Sequence, residues 1–262
     1  MGEWLGALAW FLRIRRSVAL DGLRRAFPDL PDVERRRIGR AAYRQLGLSL
    51  FEILLPLEDA ELERLVQFDG WEKLEGALAR GRGAVVAVAH FGNFELLSRV
   101  GARRGLKLSI VVRNLGDPFG RWLFQSRVRT GVRHLPDSGS SKDAMALLRR
   151  GEVLALAVDQ NMRPSRGIFV DFFGQEACTT PAPAVFSLRA GAPLLAMFPL
   201  RQADGTHLVR VRGPFTTAAT RHAAVEDLTQ QLTKAVEEEV RARPDHWFWV
   251  HRRWKTRPER GA

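Results

Sequence analysis

Up to about residue 80 the apolar positions recur every three or four residues, the period of helices that bury one face. Residues 3–25 read as one amphipathic helix, with Trp4, Leu8, Trp10, Phe11 and Ile14 apolar and Arg13, Arg15, Arg16, Arg24 and Arg25 charged. A turn at Phe27-Pro28-Asp29-Leu30-Pro31 leads to Asp32, a good N-cap for a second helix that runs to Leu55 and stops at Pro56. Short helices are expected over 58–67 and 71–80.

From Gly83 the texture changes. The apolar runs Val85–Ala89 and Val153–Val158 have no polar face, as in strands covered on both sides. Strands are expected over 84–89, 107–112, 132–135, 153–158, 168–172, 193–199 and 207–212, with Asp204-Gly205 as a hairpin turn. Helices are expected over 93–104, 117–129, 141–150, 180–190 and 222–242. Strand followed by helix, repeated, predicts an α/β fold: a central mostly parallel or mixed sheet with helices on both faces. A membrane-facing helical layer, residues 1–66, precedes the α/β domain, residues 67–262, and the two make one compact unit.

Composition adds a partner class. The formal net charge is +12, which predicts an anionic partner: nucleic acid, an anionic membrane surface or an acidic protein. Cys178 is the only cysteine, so no disulfide or cysteine-based metal site forms within one chain. No basic segment precedes the first apolar stretch, which argues against a cleaved signal. Trp4–Leu12 is about half the length that spans a bilayer. Tryptophans beside arginines there suit a membrane interface, with Trp4, Trp10 and Arg13 as contacts, and equally a helix packed on its own domain with solvated arginines.

The candidate chemistry lies in His90-Phe91-Gly92-Asn93-Phe94-Glu95. His90 ends a buried strand, where open α/β sheets bind ligands. In one continuous helix His90 and Glu95 would point about 140° apart. They meet only if the chain turns at Gly92 and Glu95 starts the helix. Glu95 would then orient one imidazole nitrogen and leave the other as a base toward a substrate hydroxyl. The same spacing is common by chance, and a histidine after an apolar strand is also an ordinary structural residue. Arg113, just past strand 107–112, belongs to the same sheet edge and suits a phosphate. Asp159 and Gln160 end another buried strand there, where an ordinary strand-terminal turn is the alternative to a role in the site. The tail, with Arg252 and Arg253 among Trp247, Trp249 and Trp254, suits single-stranded nucleic acid, an anionic membrane or an acidic protein.

These residues carry a resemblance. His90–Glu95 resembles the His-x4-Glu/Asp motif of the lysophospholipid acyltransferase superfamily, and more narrowly the bacterial lipid A biosynthesis lauroyl/myristoyl (late) acyltransferases. Arg24–Pro28, Val112–Pro118, Gly151–Gln160, Gly167–Gly174 and Trp249–Pro258 resemble further blocks of that family in the same order. The resemblance implies transfer of a fatty acyl group from acyl carrier protein thioester to a hydroxyl of an anionic lipid, most simply a lipid A precursor. It implies no cofactor and a peripheral or weakly anchored place on the cytoplasmic face of the inner membrane. Asn93, Gly167 and Phe169 join Arg113, Asp159 and Gln160 as expected substrate-binding residues, with Asp159 orienting Arg113 or an acceptor sugar. Phe172 and Phe173 are an expected acyl channel, although aromatics at strand spacing, as Phe169, Phe172 and Phe173 are, also make ordinary core. Asp171 stands where the family more often has proline. The alternatives are another lysophospholipid or glycolipid acceptor or, from a different class, a basic nucleic-acid-binding protein without catalysis.

Overall fold

The computed structural model describes residues 1–55, 59–112, 118–220 and 223–258. Helices α1 (Gly2–Phe11), α2 (Arg16–Ala26), α3 (Asp32–Leu54) and α4 (Asp59–Leu65) come first, followed by β1 (Val66–Asp69) and α5 (Trp71–Leu78). Next in order are β2 (Ala84–Val88), α6 (Glu95–Arg103), β3 (Leu108–Val112), α7 (Pro118–Arg129), β4 (Arg133–Pro136), α8 (Ser141–Arg149) and β5 (Val153–Ala157). The chain then forms β6 (Ile168–Phe172), β7 (Gln175–Thr179), α9 (Ala182–Ala190), β8 (Leu194–Arg201), β9 (His207–Phe215) and α10 (Ala224–Ala242). Among the described residues seven strands make one mixed sheet in the order β1-β9-β8-β2-β5-β3-β4, and β6 and β7 make a separate hairpin. The α/β architecture with an N-terminal helical region agrees with the expectation from strand and helix periods.

Alternation along the strands divides the core. Val85, Ala87 and Ala89 face one buried cluster, with Leu154, Leu194, Val236 and Trp249. Ala84 and Val86 face the other, with Leu74, Leu96, Val100 and Val211. The central strand β2 is parallel to β5 and β8, while β9 turns back antiparallel to β8 through Gln202–Thr206.

Three elements differ from expectation. The single helix over 3–25 breaks in two, because Arg13 and Arg15 take left-handed backbone (φ 59° and 54°). Tertiary contacts hold that break: Trp10 packs edge-on against Tyr43 at 5.2 Å, and Tyr43 Oη donates to the Ile14 carbonyl at 2.5 Å. The expected helix over 58–67 forms as α4 but ends at Leu65, and the next four residues make the unexpected strand β1, which pairs with β9. The strand at 168–172 is the first half of a hairpin that turns at Phe173-Gly174.

Helices α1 and α3 touch through glycines. A Cβ on Gly6 would overlap the Tyr43 carbonyl, and one on Gly47 would overlap the Gly2 carbonyl. Overpacking of this kind costs about 1–3 kcal/mol. Gly47→Leu is therefore expected to lower the thermal midpoint by several degrees, roughly 2–4 °C per kcal/mol for a chain of this size, as measured by calorimetry.

Candidate active site

The register of the sheet brings His90 and Asp159 together. Val88 pairs with Ala157 in the parallel strands β2 and β5. His90 and Asp159 each follow two residues later, so they leave adjacent strands at the same level, about 4.8 Å apart across the sheet. Gly92, in left-handed backbone at φ 54°, then turns the chain into α6, and a Cβ there would overlap the Pro199 carbonyl. Glycine alone meets both conditions.

The imidazole is fixed on one side and open on the other. His90 Nδ1 lies 2.8 Å from Asp159 Oδ1, and the His90 backbone N–H donates to Asp159 Oδ2 at 2.8 Å. Trp247 Nε1 donates to the same Oδ2 at 2.9 Å. Burial works against the Asp159 carboxylate, but the imidazole's charge and these hydrogen bonds outweigh it and hold its pKa below the ordinary value. A carboxylate only accepts, so Nδ1 carries the hydrogen and Nε2 is the basic nitrogen. Gln160 Nε2 lies 3.2 Å from it. Burial likewise opposes charge on His90, but Asp159, with the charge of Glu95, keeps its pKa above 6.5.

Glu95 is not the orienting partner expected for His90. It opens α6 and is buried, and its carboxylate takes both Nε and Nη2 of Arg127 from α7. The first helical turn favours a carboxylate, and the guanidinium fork matches it. Glu95 acts on His90 by charge alone. Asp159, expected to hold Arg113 or a sugar, has the orienting position instead. Arg113 itself lies outside the described residues.

Asn93, expected to bind substrate, ties the histidine turn to the helical layer. It is buried, and its Nδ2 donates to Glu52 Oε2 of α3 at 2.8 Å. Glu52 also receives both Nη atoms of Arg201 from β8, and His207 Nε2 sits 3.3 Å away. Burial works against the Glu52 carboxylate, yet His207, Arg201 and Asn93 together bring its pKa down to about 2. Nothing in the local sequence around Glu52 marked it.

The C-terminal tail is part of the site. Gly92 N–H donates to the His246 carbonyl at 2.8 Å and Phe248 N–H to the His90 carbonyl at 3.0 Å, so the tail pairs with the histidine turn like a short strand. Asn161 N–H donates to His251 Nε2, and Asn161 exchanges hydrogen bonds with Thr256. Trp247, Trp249, Trp254 and Arg253 are all buried. Arg253, expected at a membrane or carrier surface, donates to the Cys178 carbonyl and Thr179 Oγ1 and lies 5.2 Å from the Phe172 ring. Burial lowers its pKa to about 10. Bases have no aromatic platform to stack on here, which removes the observation behind a nucleic-acid reading.

A cavity of about 1380 Å³ opens beside His90, Asn93, Glu95, Arg127 and Gln160. Its walls come from α3, α6, α7 and the sheet face that carries Val86 and Val88. Phe172 and Phe173, expected to line an acyl channel, do not border it. Phe172 packs on Trp247 and Trp254, and Phe173 on Phe27, within the other core cluster. Gly167 and Phe169 also stay off its walls: a Cβ at Gly167 would come within 2.6 Å of Cys178 Sγ, and Phe169 pairs with Cys178 across the hairpin. Trp10 is buried on α3, whereas Trp4, Arg13 and Arg252 remain exposed.

Comparison with known proteins agrees with this geometry. A model of the family described as bacterial lipid A biosynthesis acyltransferase matches residues 1–256. The chain is 28% identical over 264 residues to the lipid A biosynthesis lauroyltransferase of Escherichia coli (strain K12), covering 99% of this chain and 85% of that one. It is 28% identical over 269 residues to the lipid A biosynthesis palmitoleoyltransferase of the same organism, covering 98% and 85%. It is 25% identical over 199 residues to the phosphatidylinositol mannoside acyltransferase of Mycobacterium tuberculosis (strain ATCC 25618 / H37Rv), covering 74% and 61%. A match along nearly the whole chain, with the histidine motif placed at a built site, assigns the protein to the bacterial lipid A biosynthesis acyltransferases, a family of enzymes that transfer acyl groups.

Proposed function

We propose that this protein moves a fatty acyl group from an acyl carrier protein thioester to a hydroxyl of an anionic lipid, a lipid A precursor, with His90 as general base. The observation that carries this reading is the His90–Asp159 pair at the wall of a large cavity. Asp159 fixes the tautomer, and Nε2 is left for an acceptor hydroxyl, which takes over the lone pair that Gln160 meets. His90 removes the hydroxyl proton as the oxygen attacks the thioester carbonyl. The adduct then expels the thiolate, and the imidazolium can return the proton to sulfur. Asp159 and the nearby charge of Glu95 stabilise that imidazolium. No protein nucleophile is needed.

The cavity has two characters. Toward α7 and β4 its walls include Arg121, Gln125, Arg166 and the Glu95-paired Arg127, a polar, arginine-bearing side suited to an acceptor's phosphates. Arg113, directly after β3, is proposed as a further phosphate ligand. The E. coli relatives' names favour a lipid A acceptor, and the mycobacterial relative's name keeps a phosphoglycolipid acceptor as the second reading.

Membrane attachment is proposed to be peripheral. No described helix is long and apolar enough to cross a membrane. Trp4 (79% exposed), Leu8 and Phe11 (78% exposed) leave an apolar face on α1, next to exposed Arg13 and Arg15. Helix α3, which α1 packs against, supplies cavity-wall residues including the half-exposed Leu46. An anionic bilayer surface matches both the apolar face and the charge.

His90→Ala and Asp159→Asn are each expected to lower kcat by about 10²–10⁴-fold with the fold intact by circular dichroism, and wild-type rates in either would sink the base assignment. In the wild type the active, neutral imidazole accumulates as pH rises through a pKa above 6.5. Asp159→Asn removes the charge that raises it while burial remains, so the acid limb of the kcat profile should move to lower pH. Trp4→Ala combined with Phe11→Ala should weaken sedimentation with anionic vesicles by about tenfold, less than full burial of two large side chains implies. The same variant should keep its rate on detergent-dispersed acceptor.

A further inference from the structure

The apolar part of the cavity has a visible far end. Helix α6 presents Phe94, Leu97 and Gly101 to it, positions i, i+3 and i+7 of one helical stripe. Arg104 continues that stripe. Its guanidinium carbon lies 4.7 Å from the ring centroids of both Phe68 and Trp71, which line the cavity and touch each other edge-on at 4.5 Å. Cation–π contact at this distance is attractive. Arg104 is exposed, so the two half-buried rings and the guanidinium stand between the cavity and solvent.

Two routes give the same length. The Phe94 ring touches the His90 ring at 4.8 Å. From Phe94 to Arg104 the helix advances ten residues, about 15 Å at 1.5 Å each. Across the sheet, Val88 pairs with Met197, Pro199 with Val209, and Val209 with Phe68. Phe68 is therefore level with His90 and three strands away, about 14 Å. An extended chain advances about 1.2 Å per bond, so roughly a dozen carbons fit between the reacting carbonyl and the rings.

We infer that Phe68 and Trp71, clamped by Arg104, form the stop that sets acyl chain length, and that Gly101 keeps the channel open midway. This rests on the acyl-transfer reading above. A glycine inside a helix costs about 0.5–1 kcal/mol relative to alanine, and here it leaves room for the chain. A Cβ at Gly101 meets only Leu106 Cδ1 at 3.4 Å and Leu108 Cδ2 at 3.6 Å, ordinary contacts, so a longer side chain is tolerated by the backbone and reaches into the channel.

The test offers the full-length enzyme an equimolar ladder of saturated acyl carrier protein thioesters in two-carbon steps, with mass spectrometry of the acylated lipid. Trp71→Ala should move the preferred chain longer by roughly four carbons, and Gly101→Met should move it shorter by a similar amount. The ratio of new to old product should change by at least about tenfold. The ratio is read within each sample, so a loss of total activity does not mask it. If Trp71→Ala fails to fold, the shortening in Gly101→Met carries the test. A wild-type profile in a folded Trp71→Ala or in Gly101→Met overturns the stop while leaving acyl transfer standing. A wild type that acylates no lipid from any thioester overturns acyl transfer itself.

Discussion

The carboxylate of Asp159 is buried, and a buried charge is tolerated only where hydrogen bonds and an opposite charge replace water. Three elements far apart in sequence meet that demand. The end of β2 supplies the His90 ring and backbone N–H, the end of β5 supplies Asp159 itself, and the tail supplies the Trp247 indole. Removing any one leaves a polar group stranded, so the same contacts that orient the imidazole also lock two strand ends and the tail together. Stability and chemistry draw on one set of bonds here.

The Glu52 cluster performs a similar task one layer out. Arg201 of β8, Asn93 of the histidine turn and His207 of β9 converge on a carboxylate carried by α3. The helical layer is thereby bonded to the loop that aims His90. With its pKa brought down to about 2 by these partners, the Glu52 carboxylate stays ionised and keeps the junction bonded near neutral pH.

Local pattern made much of this legible. The apolar runs at 84–89 and 153–158 marked the strands, His90 and Asp159 marked their ends, and Gly92 marked the turn. What stayed hidden was adjacency. Period and turn chemistry do not say that β5, not β3, lies beside β2 along the full length of the strand, and that neighbour decides which carboxylate reaches the imidazole. Glu95 looked like the partner because it is close in sequence, but Arg127, thirty-two residues on, claims both of its oxygens. The tail misled for a related reason. Alternating tryptophan and arginine reads as a binding surface, yet burial of Trp247, Trp249 and Arg253 turns it into interior structure. Likewise Phe172 and Phe173 were recognisable as aromatics at strand spacing, but only the face they take separates core from channel.

Because Trp247, Phe248 and His251 brace His90, Asp159 and the loop after it, the candidate site closes only when a segment distant in sequence folds back onto two strand ends. A chain cut short before the tail has its histidine and carboxylate but lacks the brace that holds them in register. Assembly of the site thus depends on a long-range contact and not on the two strand ends alone.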